Sequence, residues 1–229
     1  MQVEEFKAKL QAVEKQGFVV SKRRGNTGIG YTLETLLGIG ENNITLPDLG
    51  EIELKSKRKN VSTFVTMFTF NSGAWKISQA ETIARYGYDD KKSRRALKCF
   101  VSVSPNAQGL FLKAEAESLK LFHTDGTLIA EWLADALAEY FSRKLPSMIL
   151  VLADTRLNSD GKEEFYYNEA YLLSEPSADG LLSLIEKRLL MVDLRMHLNP
   201  NGSVRNRGTA FRMDEKNLTQ CFTQKEKLL

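Results

Sequence analysis

Asp48, Glu53 and Lys55 are the residues of this chain whose types and spacing best suit a chemical task. Hydrolysis of a phosphodiester needs hard oxygen ligands for a divalent cation, a placed water, and positive charge where the pentavalent transition state gathers negative charge. Two carboxylates and an ammonium supply all three. Asp48 and Glu53 suit Mg²⁺ as ligands, and Lys55 suits orienting or deprotonating the water and stabilising the phosphate. From Glu51 to Lys57 charged and apolar residues alternate, which predicts a strand with Ile52 and Leu54 on one face and Glu51, Glu53, Lys55 and Lys57 on the other. Residues two apart on a strand share a face and lie roughly 6.6 Å apart along the chain, so Glu53 and Lys55 can share one phosphate. Glu51 shares that face too, but the E-x-K spacing and the apolar neighbours Ile52 and Leu54 favour Glu53. Glu34 is a candidate outer acid, on a short helix expected from Tyr31 to Leu37. An acid followed by E-x-K also arises by chance on a solvated strand face, so the motif needs support from the rest of the chain.

That support comes from glycines and clustered cations. Lys22, Arg23 and Arg24 lead into Gly25-Asn26-Thr27-Gly28-Ile29-Gly30, a loop able to set backbone N–H groups and a helix N-terminus against a phosphate. No Gly-Lys-Ser/Thr follows, so the loop suits a nucleic-acid backbone better than a nucleotide, with a plain turn as the alternative. Lys57, Arg58 and Lys59 extend the positive charge beside Lys55, and Lys91, Lys92, Arg94 and Arg95 form a second cluster. Far downstream, Arg195, Arg205, Arg207 and Arg212 flank the turn Asn199-Pro200-Asn201-Gly202. Arginine can bond guanine O6 and N7 with two donors at once, so this segment is expected to read bases in duplex DNA, ordinary surface arginines being the alternative. His123 and His197 have no zinc-type spacing, and Leu157 to Gly161 is a hairpin turn in preference to a calcium loop.

Composition sets outer bounds. A chain of 229 residues that is 42% hydrophobic can bury one substantial core, as a single domain or as two lobes of one. A net charge of +3 does not announce a nucleic-acid binder by itself; the clustering does. Two distant cysteines, Cys99 and Cys221, suggest neither a disulfide framework nor a thiolate metal site and fit a reducing cytoplasm. No apolar run reaches bilayer length and no signal peptide is apparent, so a cytoplasmic, membrane-free location is expected.

Periodicity supplies the elements that must position these groups. Val3, Phe6, Leu10 and Val13 predict an amphipathic helix ending near Gly17. Phe64 to Phe70 reads as a strand and Ile77 to Tyr86 as a helix. Strands follow at Lys98 to Ser104, Leu110 to Ala114 and Leu119 to His123, then a helix from Leu128 to Phe141. Met148 to Leu152 is an apolar run suited to a buried strand, with Glu163 to Leu172 as its hairpin partner. A helix from Ala178 to Arg188 and strands at Leu190 to His197 and Thr209 to Met213 complete an α+β pattern.

The run Lys22 to Gly30, then Thr32-Leu33-Glu34, Pro47-Asp48, Ile52-Glu53-Leu54-Lys55 and Gly208-Thr209-Ala210-Phe211-Arg212 together resemble the MvaI/BcnI restriction endonucleases. The blocks occur in that family's order across most of the chain, with little signal from about Asn71 to Pro176. The resemblance implies an α+β, restriction-endonuclease-like core of the MutH-like branch: a central mixed sheet flanked by helices, in two lobes around a DNA cleft. It implies one two-lobed nuclease domain over residues 1–229, with the catalytic residues at about 20–70 and recognition elements at about 190–213. Asp48, Glu53 and Lys55 become the catalytic set, Asp48 and Glu53 its Mg²⁺ ligands, and Glu34 a nearby acid. Lys22, Arg23, Arg24, Asn26, Thr27, Lys57, Arg195, Arg205, Arg207 and Arg212 become candidate DNA contacts. The implied activity is that of a monomeric type II restriction endonuclease cutting double-stranded DNA at a short CC-N-GG-like site. A cognate DNA methyltransferase acting on the same site is the implied partner. A MutH-like strand-nicking repair enzyme and a catalytically inactive DNA-binding protein are the alternatives. The chain departs from the family at Arg207, where a histidine commonly precedes the Gly-Thr-Ala-Phe run, so the bases read there are expected to differ.

Overall fold

The structure is a computed structural model that describes every residue except 1–2, 40–42, 47–49, 60–63, 72 and 178–179. Asp48 therefore lies outside the described residues, as do Pro47 and the first two residues of the helix expected at Ala178. The chain begins with α1 (Val3–Glu14), β1 (Val19–Val20), α2 (Gly28–Leu37), β2 (Asn43–Leu46), β3 (Gly50–Arg58), β4 (Phe64–Thr69), α3 (Gln79–Tyr86) and β5 (Tyr88–Asp89). Then come β6 (Arg95–Val101), β7 (Leu110–Glu115), β8 (Ser118–His123), β9 (Leu128–Leu133) and α4 (Ala134–Lys144). The remainder is β10 (Ser147–Leu157), β11 (Glu163–Pro176), α5 (Leu181–Glu186), β12 (Leu190–Leu198), β13 (Val204–Asn206), β14 (Ala210–Asp214), a 3-10 turn at Glu215–Cys221, and β15 (Phe222–Lys227).

These elements fall into two compact units. The first unit combines residues 1–63, 145–176 and 222–229 around a sheet ordered β1-β11-β10-β3-β2, with β15 on the far side of β11. β10 runs parallel to β3, setting Met148 beside Glu53 and Leu150 beside Lys55, and returns through a hairpin into β11. The hairpin turn is fixed by Asn158, whose Oδ1 accepts from the amides of Asp160 and Lys162, and by Gly161 at φ +70°. Alternation in β3 sends Ile52 and Leu54 into a core shared with Phe6, Leu10 and Val13 of α1 and Ile29, Leu33 and Leu37 of α2. That core anchors the strand from beneath, so the residues at odd positions project from the opposite face. β2 pairs with β3 only as far as Glu53; from Leu54 onward the outer edge of β3 has no strand partner among the described residues.

The second unit combines residues 64–144 and 177–221. Its main sheet is ordered β4-β14-β12-β6-β5, with β13 added to the end of β12, and a separate antiparallel meander links β7, β8 and β9. Val192, Leu194 and Met196 of β12, Leu97 of β6 and Phe211 and Met213 of β14 are buried together on the inner side of the main sheet. Here the sequence reading needs correction. Leu128 to Leu133, expected as the start of a helix, is β9, and the helix covers only Ala134–Lys144. Pairing of Leu121 with Ala130 and Leu119 with Trp132 completes the meander, and the indole N–H of Trp132 bonds the Phe70 carbonyl at 3.1 Å. Those tertiary contacts override a local helical pattern. α2 also starts earlier than expected, at Gly28. No helix among the described residues is long and apolar enough to cross a membrane.

Candidate functional site

Glu53 and Lys55 meet on the outer face of β3, where the ammonium forms an ion pair with the carboxylate and both side chains keep about 30% exposure. The pairing follows directly from the two-residue repeat. Leu54, Lys55 and Ser56 of β3 form part of the wall of a cavity of about 320 Å³ that Arg23, Asn26, Thr27, Gly30 and Glu34 also line. The cavity thus gathers the glycine-rich loop, the outer acid and the catalytic lysine of the sequence reading. Gly30 faces both sides of this wall: a Cβ there would make ordinary contacts with Ser56 Oγ at 3.5 Å and Glu34 Oε1 at 3.7 Å. Among the described residues no three acidic, histidine or cysteine side chains come together as a cation site. The expected ligands nonetheless fit Mg²⁺ chemically: Glu53 offers hard carboxylate oxygens, and its expected partner acid, Asp48, is outside the described residues.

The loop that supplies Lys22, Arg23, Arg24, Asn26 and Thr27 keeps all five exposed while its backbone is held. Lys22 N donates to Thr32 Oγ1 at 2.9 Å, Ser21 Oγ donates to the Arg23 carbonyl at 2.6 Å, and Ser21 N donates to the Glu163 carbonyl at 2.8 Å. Gly28 is required by crowding, because a Cβ would fall 2.3 Å from the Arg23 carbonyl oxygen. Arg23 lies over the Tyr31 ring at 4.0 Å. Tyr167 of β11, fully buried, donates its hydroxyl to the Ile29 carbonyl at 2.7 Å, and burial raises its pKa above the ordinary phenol value. Tyr167→Phe removes this bond at nearly constant volume, and urea denaturation should report a loss of about 1 kcal/mol.

The cluster after Lys55 is not the solvated run that its composition suggests. Lys57 is only 8% exposed, because its register sets it beside Leu152 of β10 inside the sheet. Arg58 is tied to Glu163 and Lys59 to Glu169. In the second cluster Lys91 and Lys92 are exposed, whereas Arg94 and Lys98 close on Asp90 and hold its carboxyl well below the usual range. Arg94 also meets His197 Nε2 at 3.2 Å; desolvation first, and Arg94 second, lower the histidine pKa.

In the second unit, Arg195 and Arg212 both turn toward Asp193, which sequence reasoning missed. Arg212 Nη1 donates to Asp193 Oδ2 at 2.9 Å, and Arg195 Nε stands 4.0 Å from the same oxygen. Arg212 also donates to the Phe64 carbonyl at 2.7 Å and lies over the exposed Phe100 ring at 5.5 Å. Arg195 bonds the carbonyls of Arg207 and Gly208, and Thr209 N is held by Asn71 Oδ1 at 2.9 Å, so the segment after β13 is braced from both sides. Arg205, within β13, and Arg207, just after it, are exposed. The D-x-R spacing of Asp193 and Arg195 on one strand face was the available signal, of the same kind as E-x-K.

The MvaI/BcnI restriction endonuclease family profile matches residues 7–222. The chain belongs to this family. As an MvaI/BcnI-family member it is a restriction endonuclease, a site-specific deoxyribonuclease with the mixed α+β fold of that group. The chain is similar to a solved structure described as restriction endonuclease MvaI in complex with its cognate DNA substrate, with 25% identity, a TM-score of 0.71 and full coverage of both chains. It also resembles a structure of MvaI in the absence of DNA, with 24% identity, a TM-score of 0.64 and coverage of 99% of this chain and 97% of the other. Direct comparison with curated protein sequences gives no match.

Proposed function

We propose that this family member is a monomeric type II enzyme that uses Mg²⁺ to hydrolyse both strands of duplex DNA at a short, GC-rich site of the CC-N-GG kind. The products carry 5′-phosphate and 3′-hydroxyl ends. The observation that carries this reading is the Glu53–Lys55 pair on the outer face of β3, beside a cavity to which Glu34 and the basic loop contribute. Glu53 and Asp48 would hold the cation. A bound Mg²⁺ supplies Lewis-acid polarisation of the phosphoryl oxygen and a more acidic water. Lys55 orients that water and places its ammonium against the charge that builds on the phosphate. Glu34 adds acceptor capacity at the cavity wall. Lys22, Arg23 and Arg24, with Asn26 and Thr27, hold backbone phosphates, which makes affinity fall steeply with salt.

Base reading is assigned to the second unit. Asp193 accepts hydrogen bonds and Arg195 and Arg212 donate them, a combination suited to cytosine N4 and guanine O6/N7. Arg205 and Arg207 complete the exposed donors. Arg212→Ala should cost about 1–3 kcal/mol in discrimination at one base pair, measured as relative cleavage of single-substitution sites, and should also lower stability because buried Asp193 loses its 2.9 Å partner. A single copy has one cutting centre, so the two strands are cut in succession. A DNA methyltransferase of the same specificity and a cytoplasmic location accompany this role.

Incubating the purified protein with Mg²⁺ and a long DNA of known sequence, then sequencing the fragment ends, tests the whole reading. Paired cuts at one recurring sequence support it. Lasting accumulation of nicked circles points instead to a strand-nicking enzyme, and no Mg²⁺-dependent cleavage of any DNA removes the catalytic assignment.

A further inference from the structure

We propose that Arg58 and Glu163 act as a clamp that fixes the basic glycine-rich loop to the catalytic strand, and that DNA backbone binding depends on this clamp although neither side chain contacts DNA. The inference rests on the functional reading above for the role of the loop. Its geometry is independent of that reading.

Arg58 ends β3, the strand that carries Glu53 and Lys55. Its guanidinium spends its donors inside the protein. Nε donates to Glu163 Oε1 at 2.6 Å and Nη2 to Glu163 Oε2 at 2.8 Å, the two-point geometry that arginine forms with a carboxylate. Nη1 donates to the Asn26 carbonyl at 3.2 Å and Nη2 also to the Gly25 carbonyl at 3.3 Å, while the plane lies 5.3 Å from the Phe165 ring. One side chain thus joins the tip of the loop, the end of the catalytic strand and the start of β11. Both partners are partly shielded, Arg58 more than Glu163, with side-chain exposures of 15% and 29%. Glu163 also grips the loop through its backbone, since its carbonyl accepts from Ser21 N.

The tip is also tied to α2, Gly28 N donating to the Gly25 carbonyl at 3.0 Å and Tyr31 N to the Thr27 carbonyl at 3.1 Å, but Arg58 is what ties it to β3. Gly25 is left-handed at φ +82°, with open space around the position of a Cβ, and Asn26 and Thr27 are exposed. Lys22, Arg23 and Arg24 can meet successive phosphates in step with the cutting centre only if the tip keeps its distance from β3. Arg58 fixes that distance, and Glu163 fixes Arg58. Lysine at 58 would keep one charge but lose the fork that serves a carboxylate and two carbonyls together.

The sign of one substitution separates this role from direct electrostatics. Glu163→Gln removes a negative charge close to a DNA-binding loop, and by charge alone it should tighten binding to a polyanion. A clamp gives the opposite sign, because the released loop loses phosphate contacts. Glu163→Asp keeps the charge and only withdraws the carboxylate, so charge alone predicts no change and the clamp predicts weakening. Binding is read by fluorescence anisotropy with a short duplex of arbitrary sequence, without divalent cations, across a salt series; circular dichroism reports the fold of each variant.

The expected result is an affinity about three- to tenfold weaker for Glu163→Gln, Glu163→Asp and Arg58→Lys, with the salt slope reduced by about one. With cleavable DNA, KM rises and kcat stays nearly unchanged. Equal or tighter binding by folded Glu163→Gln overturns the clamp; should that variant not fold, unchanged binding by Glu163→Asp does so. If the wild type binds the duplex but cuts no DNA, the nuclease assignment fails while the clamp is still decided by the same affinities.

Discussion

Lys55→Ala lowers the rate of DNA cleavage by on the order of a thousandfold at saturating Mg²⁺ and leaves binding to the recognition duplex within a few-fold of the parent. The size follows from the position of the ammonium. Lys55 touches Glu53 on a strand face that the Ile52 and Leu54 core holds in place, and in the proposed mechanism its cationic end serves the transition state, not the ground state. Its removal therefore lowers kcat more than it raises KM. Circular dichroism should be unchanged, since Lys55 is only half-buried and already lines an open cavity. Cleavage at the parental rate by this variant would remove β3 from the catalytic assignment. Glu53→Ala should give a comparable loss by a different route, and raising the Mg²⁺ concentration should recover part of it only if Glu53 is a cation ligand.

Phe211→Ala destabilises the protein by about 3–5 kcal/mol, a large share of the roughly 5–15 kcal/mol available to a folded chain. Phe211 has no solvent exposure; its ring stacks on Phe68 at 4.5 Å and meets Trp132 edge-on at 5.8 Å. Alanine removes both aromatic contacts and opens a void beneath β14, the strand whose next residue is Arg212. A urea titration read by tryptophan fluorescence checks this through the fall in midpoint. Phe211→Leu should cost less than half as much, because a leucine refills most of the volume. A loss below about 1 kcal/mol for the alanine variant would mean that the inner face of this sheet repacks around the void.

The strand that carries Glu53 and Lys55 was more legible in the sequence than its surroundings. Strict alternation from Glu51 to Lys57 declares both a strand and its two faces, and the structure orients Glu53 and Lys55 accordingly. The same alternation could not show that Lys57 is buried, because burial depends on β10 arriving from beyond Ser147. β15 escaped notice because Thr223 to Lys227 is polar throughout; an exposed edge strand needs no apolar face. Leu128 to Leu133 was misread because its pairing partner, not its own pattern, decides its conformation. Asp193 was overlooked since an acid seldom suggests DNA contact until two arginines are seen converging on it. Local repeats are readable one segment at a time, whereas partners distant along the chain are not.

The parallel pairing of β3 with β10 has a consequence for biosynthesis. Glu53 and Lys55 leave the ribosome early, yet the strand that steadies them begins only at Ser147, after residues 64–144 of the second unit have been made. Contacts so far apart in sequence form late and slowly. A nascent chain therefore carries Glu53 and Lys55 through the synthesis of residues 59–146 without the strand that pairs with theirs. Under the proposed reading the site on β3 is completed only once β10 has been made, so a chain that stops short of Ser147 is expected not to cut DNA.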